Sequence, residues 1–329
     1  MKMTSVKIVR TGMYLPSRIV TNQDIHDKLV YPWSPENIER STGIHTRRFK
    51  GQNDTLASMG LEAVRTALQD VDTLPDALIY VQNMPTPYHL YPVGGELHHI
   101  LIQNKLITRG SSYYTIAGGC AEWCEALQVA YALITARIHE RVLCVTSTTA
   151  SEFIDWKDRE TAMLFGDGAC AALLEVTSEA GGFQKFYGEA DGSGYREIYL
   201  SLLEKDIKIT MPNGDRVFHY AVRATERAVT DLTRDSGKEK IEYFIFHQAN
   251  GRILDRISKT LNIPPEKDVR SVQQLGNTDT ASIGITLDLL LKGKEDLLDR
   301  TYNSPKKGDY IVMIGFGAGL KTRGTVYQV

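Results

Sequence analysis

Apolar and polar positions follow two recurring patterns along the 329-residue chain. Short runs of consecutive apolar residues, typical of buried strands, alternate with segments in which apolar residues recur every three or four positions, as on one face of a helix. In the first half, this pattern predicts strands in SVKIVRTGMYL, DALIYVQN, RVLCVTST and GACAALLEV, and helices in DTLASMGLEAVRTALQDV and AEWCEALQVAYALITARI. The alternation predicts an α/β protein with largely parallel sheets.

The second half repeats this order of elements without clear sequence identity to the first. The pattern predicts helices in RVFHYAVRATERAVTDLTRDS, GRILDRISKTLNI and TASIGITLDLLLKG, and strands in IEYFIFHQAN and DYIVMIGFGAG. The second of these strands is expected to close the chain. The glycine-rich stretch GGFQKFYGEADGSGYREIYL lies between the halves and is expected to form the crossing from one to the other.

Composition narrows the classes of function. The net charge of −2 gives no overall basic field that would attract nucleic acid or an acidic membrane. No apolar run approaches the roughly 18 residues of a membrane span, and the N-terminus lacks the apolar core of a signal peptide. The four cysteines, Cys120, Cys124, Cys144 and Cys170, form no C-x-x-C pair. We therefore expect free thiols in a reducing cytoplasm rather than disulfides or a zinc site.

One cysteine stands where a predicted strand turns into a predicted helix. The strand is expected to end near Ile116, the small residues 117–119 follow, and the helix is expected to begin near Cys120. The helix dipole there would favour a thiolate, and the glycines would let a substrate carbonyl approach free backbone N–H groups. This stretch alone fits either a nucleophile or a buried structural thiol. Cys124, one turn further along, is expected to face the core.

Two other turns carry polar side chains. His247 directly follows the apolar strand FIF, at the edge of the sheet where α/β proteins place ligands. It fits either a catalytic histidine or a hydrogen-bonded residue at a strand end. Asn277 lies in a Gly-Asn turn before a helix that is expected to start near Thr280, and by itself it fits a turn or capping residue.

Together, the Gly-Cys turn, HQAN and the GNT that precedes AS strongly resemble the β-ketoacyl-acyl-carrier-protein synthase III family of thiolase-fold condensing enzymes. GMYLPSRIVTNQDI, STGIHTRRF, LFGDGACAALLE and GFGAGL also resemble the family, so the likeness extends over nearly the whole chain. The resemblance implies two pseudo-equivalent halves stacked in five α-β-α-β-α layers. Residues 1–177 would carry the nucleophile and residues 178–329 the histidine and asparagine, in a cytoplasmic homodimer.

The resemblance also implies a reaction in two stages, in fatty acid initiation or a polyketide-like pathway. Cys120 would accept an acyl group from a thioester, and a malonyl-type thioester would then lose CO2 and attack that acyl group. His247, as a neutral donor, and Asn277 would hydrogen-bond the thioester oxygen of the extender unit. The backbone N–H groups of Cys120 and Ala318 would hold the oxyanion. No metal or cofactor is implied beyond coenzyme A or acyl-carrier-protein thioesters.

Asn277 favours decarboxylation, because an amide polarises a carbonyl but cannot accept a proton as an acid could. Two alternatives stay open. One is an acyltransferase on the same scaffold that passes the acyl group from Cys120 to an oxygen or nitrogen. The other is a subunit of a heterodimeric condensing enzyme, against which the intact Cys120, His247 and Asn277 argue.

The sequence departs from the family at the coenzyme A site. Family members hold the adenine between a Trp and an Arg, but Asn37 stands at the Trp position and Ser41 at that of a nearby Arg. Arg159 matches the second Arg. Trp33 and Trp156 lie nearby in sequence and fit either a different stacking face or packing at an edge. The acyl donor is therefore either coenzyme A or the carrier protein.

The expected substrate tunnel differs as well. Glu122 stands where the family has a small residue, and either complements the helix dipole or touches the tunnel and raises the pKa of Cys120. Ala318 and Leu320 replace the family's usual Gly and Phe, which indicates an acyl chain other than acetyl. Residues 83–92, NMPTPYHLYP, are expected to line part of the tunnel.

A basic helix is predicted beside the mouth of the site. Arg252 matches the family's arginine that helps to dock the acidic carrier protein, and Arg256 and Lys259 follow along the same helix. These three side chains fit either a docking surface or a solvated helix face.

Overall fold

The computed structural model describes residues 5–86, 92–203 and 206–329. Within these ranges the strands are β1 (Ser5–Tyr14), β2 (Arg18–Thr21), β3 (Thr46–Phe49), β4 (Ala77–Gln82), β5 (Ser112–Ala117), β6 (Arg141–Thr148), β7 (Gly168–Thr177), β8 (Gly182–Ala190), β9 (Tyr199–Leu203), β10 (Asp206–Thr210), β11 (Ile241–Phe246), β12 (Tyr310–Gly317) and β13 (Lys321–Gln328). The helices are α1 (Asn22–Lys28), α2 (Pro35–Thr42), α3 (Leu56–Ala67), α4 (Val93–Gln103), α5 (Glu122–Thr135), α6 (Arg159–Ala162), α7 (Gly214–Leu232), α8 (Gly251–Leu261), α9 (Val272–Leu275) and α10 (Ser282–Lys292). Every element predicted from the apolar pattern is present.

Local sequence sets the ends of these elements. The side chain of Asn250 accepts the backbone N–H of Arg252 and so begins α8, which ends at Asn262 in a left-handed conformation. Thr55 and Ser58 form a reciprocal capping box at the start of α3. No helix in the described ranges is long and apolar enough to cross a membrane.

Two sheets form the centre of the protein. The N-terminal sheet has the strand order β1-β7-β6-β4-β5, and the C-terminal sheet has the order β11-β12-β13-β8. The prediction of largely parallel sheets is wrong. In the described chain, strands pair in parallel only between β4 and β5, β4 and β6, and β11 and β12. The turn from β12 to β13 is too short for a parallel crossover, so β13 folds back antiparallel.

The two sheets repeat one arrangement of parallel and antiparallel pairs, which confirms the predicted pseudo-equivalent halves. In each, a parallel pair is followed by two antiparallel pairs, so β4-β6-β7-β1 corresponds to β11-β12-β13-β8. On the side of β11 away from β12, Phe244 forms a single parallel bridge with Asp268, at the position that β5 occupies in the N-terminal sheet. β7 ends at Thr177 and β8 begins at Gly182, on either side of the predicted boundary.

Helices cover both sheets, which gives the predicted five layers. α3 and α4 pack on the outer face of the N-terminal sheet, and α7 and α8 form the other outer layer beside the C-terminal sheet. α5 and α10 lie between the sheets and contact strands of both. A buried hydrogen bond of 2.7 Å from the Thr11 hydroxyl to Asp288 ties α10 to β1. The middle layer is therefore the place where the two halves meet.

Among the strands of the two central sheets and the helices that cover them, α4, β8 and β13 were not predicted from the sequence. β8 lies in the glycine-rich stretch expected only to cross between the halves, and β13 follows the strand expected to close the chain. β13 alternates polar residues such as Lys321 and Arg323 with small ones, and these two side chains form ion pairs with Glu125 of α5 on one face of the sheet. A Cβ at Gly324 would lie 2.9 Å from Ile314, so the glycine permits close packing there.

Candidate active site

The ends of β5, β11 and β12 open into one cavity of about 1060 Å³. Cys120, His247 and Asn277 all line it, so the fold brings together three residues from distant parts of the sequence. β5 belongs to the N-terminal half and β11 and β12 to the C-terminal half. The cavity therefore lies where the two sheets present their carboxyl ends across the middle layer.

Cys120 lies in the turn between β5 and α5, two residues before the helix begins at Glu122. Cys120 is 9% exposed to solvent. A Cβ at Gly317, in β12 of the other half, would lie 2.8 Å from the Cβ and 2.9 Å from Sγ of Cys120. A side chain at position 317 would collide with the cysteine, so only glycine lets the two segments pack this closely.

The surroundings of Cys120 hold its proton on the sulfur. Burial raises the pKa of the Cys120 thiol well above its ordinary value, and the carboxylates of Asp279 and Glu122 raise it further. The prediction that this turn stabilises a thiolate is therefore wrong for the free protein, because burial and two acids outweigh the helix terminus. Cys124 faces the core, as predicted, with its thiol 3.9 Å from the carbonyl oxygen of Met313. All four cysteines are free thiols.

His247 directly follows β11 and is almost completely buried. Its Nδ1 lies 2.8 Å from the hydroxyl oxygen of Ser282, and its ring meets Phe316 edge-on. Burial lowers the pKa of His247 to about 3, so the imidazole is neutral at physiological pH. The Ser282 hydroxyl accepts the N–H of Gln248 at 3.3 Å, which leaves its own proton for Nδ1. This favours the tautomer with the ring proton on Nε2.

Asn277 is held in place by the N-terminal half. Its backbone N–H donates to the carbonyl of Leu164 at 2.8 Å, and its own carbonyl accepts the N–H of Gly166 at 2.9 Å. The side-chain Oδ1 accepts the N–H of Asp279 at 2.9 Å. This bond assigns the amide orientation and leaves Nδ2 as a donor.

Ala318 lies against the cysteine turn. A Cβ at Gly119 would come within 3.0 Å of the Cβ of Ala318, and both residues line the cavity. The loop turns at Gly319, whose φ of +75° favours glycine. That the N–H groups of Cys120 and Ala318 hold an oxyanion stays a prediction.

The structure separates the two tryptophans. Of these two, only Trp33 lines the cavity in the described chain, and the guanidinium of Arg159 lies 5.0 Å from its ring centroid. Both rings pack against the same small cluster of buried residues, and the Lys28 ammonium lies 4.9 Å from the ring of Trp156. This placement supports the interpretation of Trp156 as a packing residue. Ser41 also lines the cavity.

Arg252, Arg256 and Lys259 are exposed on α8. Their spacing of four and three residues places them on one side of the helix. Arg252 also lines the cavity, donates to the carbonyl of Arg40 at 2.7 Å, and pairs with Asp255 at 3.3 Å. The basic side of α8 thus begins at the cavity mouth.

Two of the acids that line the cavity raise the pKa of the Cys120 thiol. Glu122 is 1% exposed, and the Lys321 ammonium lies 2.7 Å both from its Oε1 and from Oε2 of Glu125. Glu122 lies in the first turn of α5, where an acid complements the helix dipole, and it also lines the cavity and raises the pKa of Cys120. Asp279, the second acid, was missed from the sequence. Its signal was an acid two positions after Asn277.

The segment expected to line the tunnel is only partly described. Asn83 and Met84 line the cavity, as predicted, whereas residues 87–91 lie outside the described ranges.

A buried thiol that faces neutral hydrogen-bond donors from the other half defines a thiol-dependent acyl-transfer site of the condensing-enzyme class. The family model of 3-oxoacyl-[acyl-carrier-protein (ACP)] synthase III matches residues 114–192, and its C-terminal model matches residues 233–329. A β-ketoacyl-[acyl-carrier-protein] synthase III of Bacillus pumilus is 35% identical, over 95% of each chain.

Solved structures agree with these matches. The 3-oxoacyl-[acyl-carrier-protein] synthase III of Aquifex aeolicus superposes with a TM-score of 0.87 and 29% identity, over 99% of this chain and 100% of its own. The priming β-ketosynthase of a polyketide biosynthetic pathway also gives 0.87, with 27% identity, over 99% and 96%. The chain therefore belongs to the 3-oxoacyl-[acyl-carrier-protein] synthase III family.

Proposed function

We propose that the protein catalyses the decarboxylative Claisen condensation of an acyl group with a malonyl-type thioester, to give a β-ketoacyl thioester. The observation that carries this proposal is the position of two neutral donors, His247 and Asn277, in the cavity that holds Cys120. Neutral hydrogen-bond donors suit an enolate intermediate, because they stabilise the negative charge on its oxygen. The step belongs to fatty acid initiation or to the priming of a polyketide-like pathway.

In the first stage, Cys120 attacks the acyl thioester and the donor's thiol leaves. The backbone N–H groups of Cys120 and Ala318 hold the oxyanion of the tetrahedral intermediate. Close packing of the glycine loop against the cysteine turn supports this role. As an acyltransferase of this kind, the protein needs no metal or organic cofactor besides its thioester substrates.

In the second stage, the malonyl unit binds with its thioester oxygen between Nε2 of His247 and Nδ2 of Asn277. Loss of CO2 leaves an enolate, and its carbon attacks the acyl group on Cys120. His247 remains a neutral donor throughout, because its burial makes protonation unfavourable. The bond between the acyl carbon and the Cys120 sulfur then breaks, and the released thiolate takes up one proton from solvent.

The thioesters arrive on coenzyme A, on an acyl carrier protein, or on both. The Trp33 ring, which lines the cavity, supports a stacking site for an aromatic base such as adenine, whereas Arg159 contacts that ring but does not itself line the cavity. The basic side of α8 supports docking of an acidic carrier protein. We infer a cytoplasmic homodimer in which each chain carries its own complete set of catalytic residues.

One observation favours a second candidate, transfer of the acyl group to an oxygen or nitrogen. Such transfer needs a proton acceptor, and Asp279 supplies the acid that Asn277 does not. Both candidates share acylation of Cys120 and differ in the second substrate.

The test is to supply an acyl thioester together with malonyl thioester, on coenzyme A and on a carrier protein. Condensation predicts one CO2 released per β-ketoacyl product detected by mass spectrometry, and no product from Cys120→Ala. Acylation of the cysteine without any CO2 release would instead favour the acyltransferase.

A further inference from the structure

Asp279 is an acid in the cavity for which the proposed condensation has no role. It is 6% exposed and lines the cavity together with Cys120. Its Oδ2 accepts a hydrogen bond of 2.9 Å from Nδ2 of Asn83. Its Oδ1 is buried and has no hydrogen-bond partner among the described residues. A buried carboxylate oxygen left without a donor is costly, so a role for it is expected.

The backbone of Asp279 holds this carboxylate in position. Its φ of +47° lies in the left-handed region, which costs a non-glycine residue roughly 1 kcal/mol and which aspartate tolerates better than most. The hydrogen bond from its N–H to Oδ1 of Asn277 stabilises that conformation. The acid is therefore directed into the cavity by the same turn that orients the asparagine.

The carboxylate and the Cys120 thiol act on each other. Burial raises the pKa of Asp279 to about 6, Glu122 adds to this, and hydrogen bonding with the thiol and with Asn83 opposes it. The charge of Asp279 in turn raises the pKa of the thiol. At neutral pH, the site therefore holds a protonated sulfur beside an ionised acid.

The other charged and titratable groups around the pair are poorer proton acceptors for this thiol. His247, at the end of β11, has a pKa of about 3 and uses Nδ1 for Ser282. Glu122, on α5, also has a buried oxygen without a partner, Oε2, but its Oε1 pairs with the ammonium of Lys321 of β13, and this positive charge makes the carboxylate a weaker base. Asp279 lines the same cavity as Cys120, and its buried Oδ1 has neither a hydrogen-bond donor nor a cation paired with it among the described residues.

We propose that Asp279 is a catalytic residue of the acylation stage, which accepts the proton of Cys120 and returns it to the leaving thiol. The S–H bond breaks as the sulfur bonds to the acyl carbon, and the proton passes to Oδ1 of Asp279. The thioester C–S bond then breaks, and the leaving thiolate takes that proton. The products are acyl-Cys120, a free thiol and the original carboxylate, so atoms and charge balance. This inference rests on the proposed acylation of Cys120.

Asp279→Asn tests the role, because it keeps the shape and removes the acceptor. Two rates are measured at several pH values: alkylation of Cys120 by iodoacetamide, and its acylation by acetyl- or octanoyl-coenzyme A, whichever is faster in the unmodified protein. Alkylation needs only thiolate, so loss of the acid's charge should accelerate it at pH 7. Acylation should fall by about 100-fold, the usual contribution of a general base, and Asp279→Glu should recover part of it.

Glu122→Gln is the matched control, because it removes the other carboxylate that raises the pKa of the thiol. Its acylation rate should change in the same direction as its alkylation rate. If Asp279→Asn raises both the alkylation rate and the acylation rate of Cys120, Asp279 affects only the pKa of the thiol, and the proposal is overturned.

The unmodified protein gives the same test without any variant. Its acylation rate should rise with pH through about 6 and then level off, as the acid ionises, while alkylation rises only at much higher pH. If the acylation rate and the alkylation rate follow the same pH profile, the proposal is overturned. This test does not require Asp279→Asn to fold. Failure of the proposed function has a different signature, since no coenzyme A or carrier-protein thioester would then acylate the unmodified protein.

Discussion

The backbone N–H of Asp279 donates a hydrogen bond of 2.9 Å to Oδ1 of Asn277. One short turn thereby orients an amide donor toward the cavity and places a carboxylate beside Cys120. The two side chains are chemically opposite: Nδ2 of the asparagine can only donate, and an ionised acid can only accept. We therefore assign polarisation of the extender unit to Asn277 and proton transfer to Asp279.

Asn277→Asp exchanges the donor for an acceptor at nearly constant shape. The new carboxylate can still accept the N–H of Asp279 but cannot donate to the enolate oxygen, and its charge opposes the enolate. We expect CO2 release to fall by about 100-fold or more while self-acylation persists. Asn262→Asp, the same exchange at the exposed end of α8, is the control. Unchanged condensation in Asn277→Asp would contradict the role of the amide.

His247 should make the protein sensitive to mild acid. Its pKa is lowered by burial to about 3, so the unfolded chain binds a proton below pH 6.5 that the folded state does not. Folding stability from this residue is therefore present above pH 6.5 and is lost as the pH falls toward 3. Relative to His247→Asn, the unmodified protein should lose about 2 kcal/mol of unfolding free energy between pH 7 and pH 5, measured by urea denaturation. An unchanged difference between the two proteins would show that the imidazole titrates normally.

The placement of the two tryptophans predicts different results for two similar variants. Trp33→Ala removes the ring beside Arg159 at the cavity, and should raise the KM for acyl-coenzyme A by roughly 5-fold, equivalent to about 1 kcal/mol of lost stacking. Both rings pack against the same buried cluster, so both variants should lower the melting temperature, but Trp156→Ala should leave that KM unchanged. Equal effects on KM would mean that neither ring is specific to the donor.

Arg252→Glu reverses a charge at the cavity mouth. We expect the KM for acyl-carrier-protein substrates to rise by roughly 10-fold or more, since the new acid repels an acidic partner, while small thioesters are turned over as before. Arg109→Glu is the matched reversal, at an exposed position in the loop after α4, on the opposite outer layer. A loss that is equal for carrier-protein and small thioesters would argue against docking.

The fold was largely predictable from the apolar pattern, because buried strands and amphipathic helices carry local signals. β13 was missed because charged residues such as Lys321 and Arg323 interrupt its apolar pattern, and these residues pair with Glu125 of α5, which lies far away in the sequence. Strand direction was also misjudged, because turn length and pairing partner decide it rather than the composition of the strand. The repeated order of elements gave the two halves correctly.

The candidate site was predictable where a residue type and its turn were both distinctive, as for Cys120 and His247. Asp279 was missed because its importance comes from a contact with a cysteine on another element, which no sequence spacing reveals. The same reason explains why the thiolate prediction was wrong: the helix terminus is visible in the sequence, but the carboxylates that gather around it are not. The three-dimensional structure is needed to show which charged groups lie near the thiol.

The central claim is that Cys120 carries the acyl group, and the most direct test is the mass of the intact protein after incubation with a panel of acyl-coenzyme A and acyl-carrier-protein thioesters. We expect a mass gain of one acyl chain that persists in Cys124→Ala and is absent in Cys120→Ala. The chain that gives the gain would identify the primer and its carrier. No adduct on folded protein across the panel, or an adduct that survives in Cys120→Ala, would contradict the account.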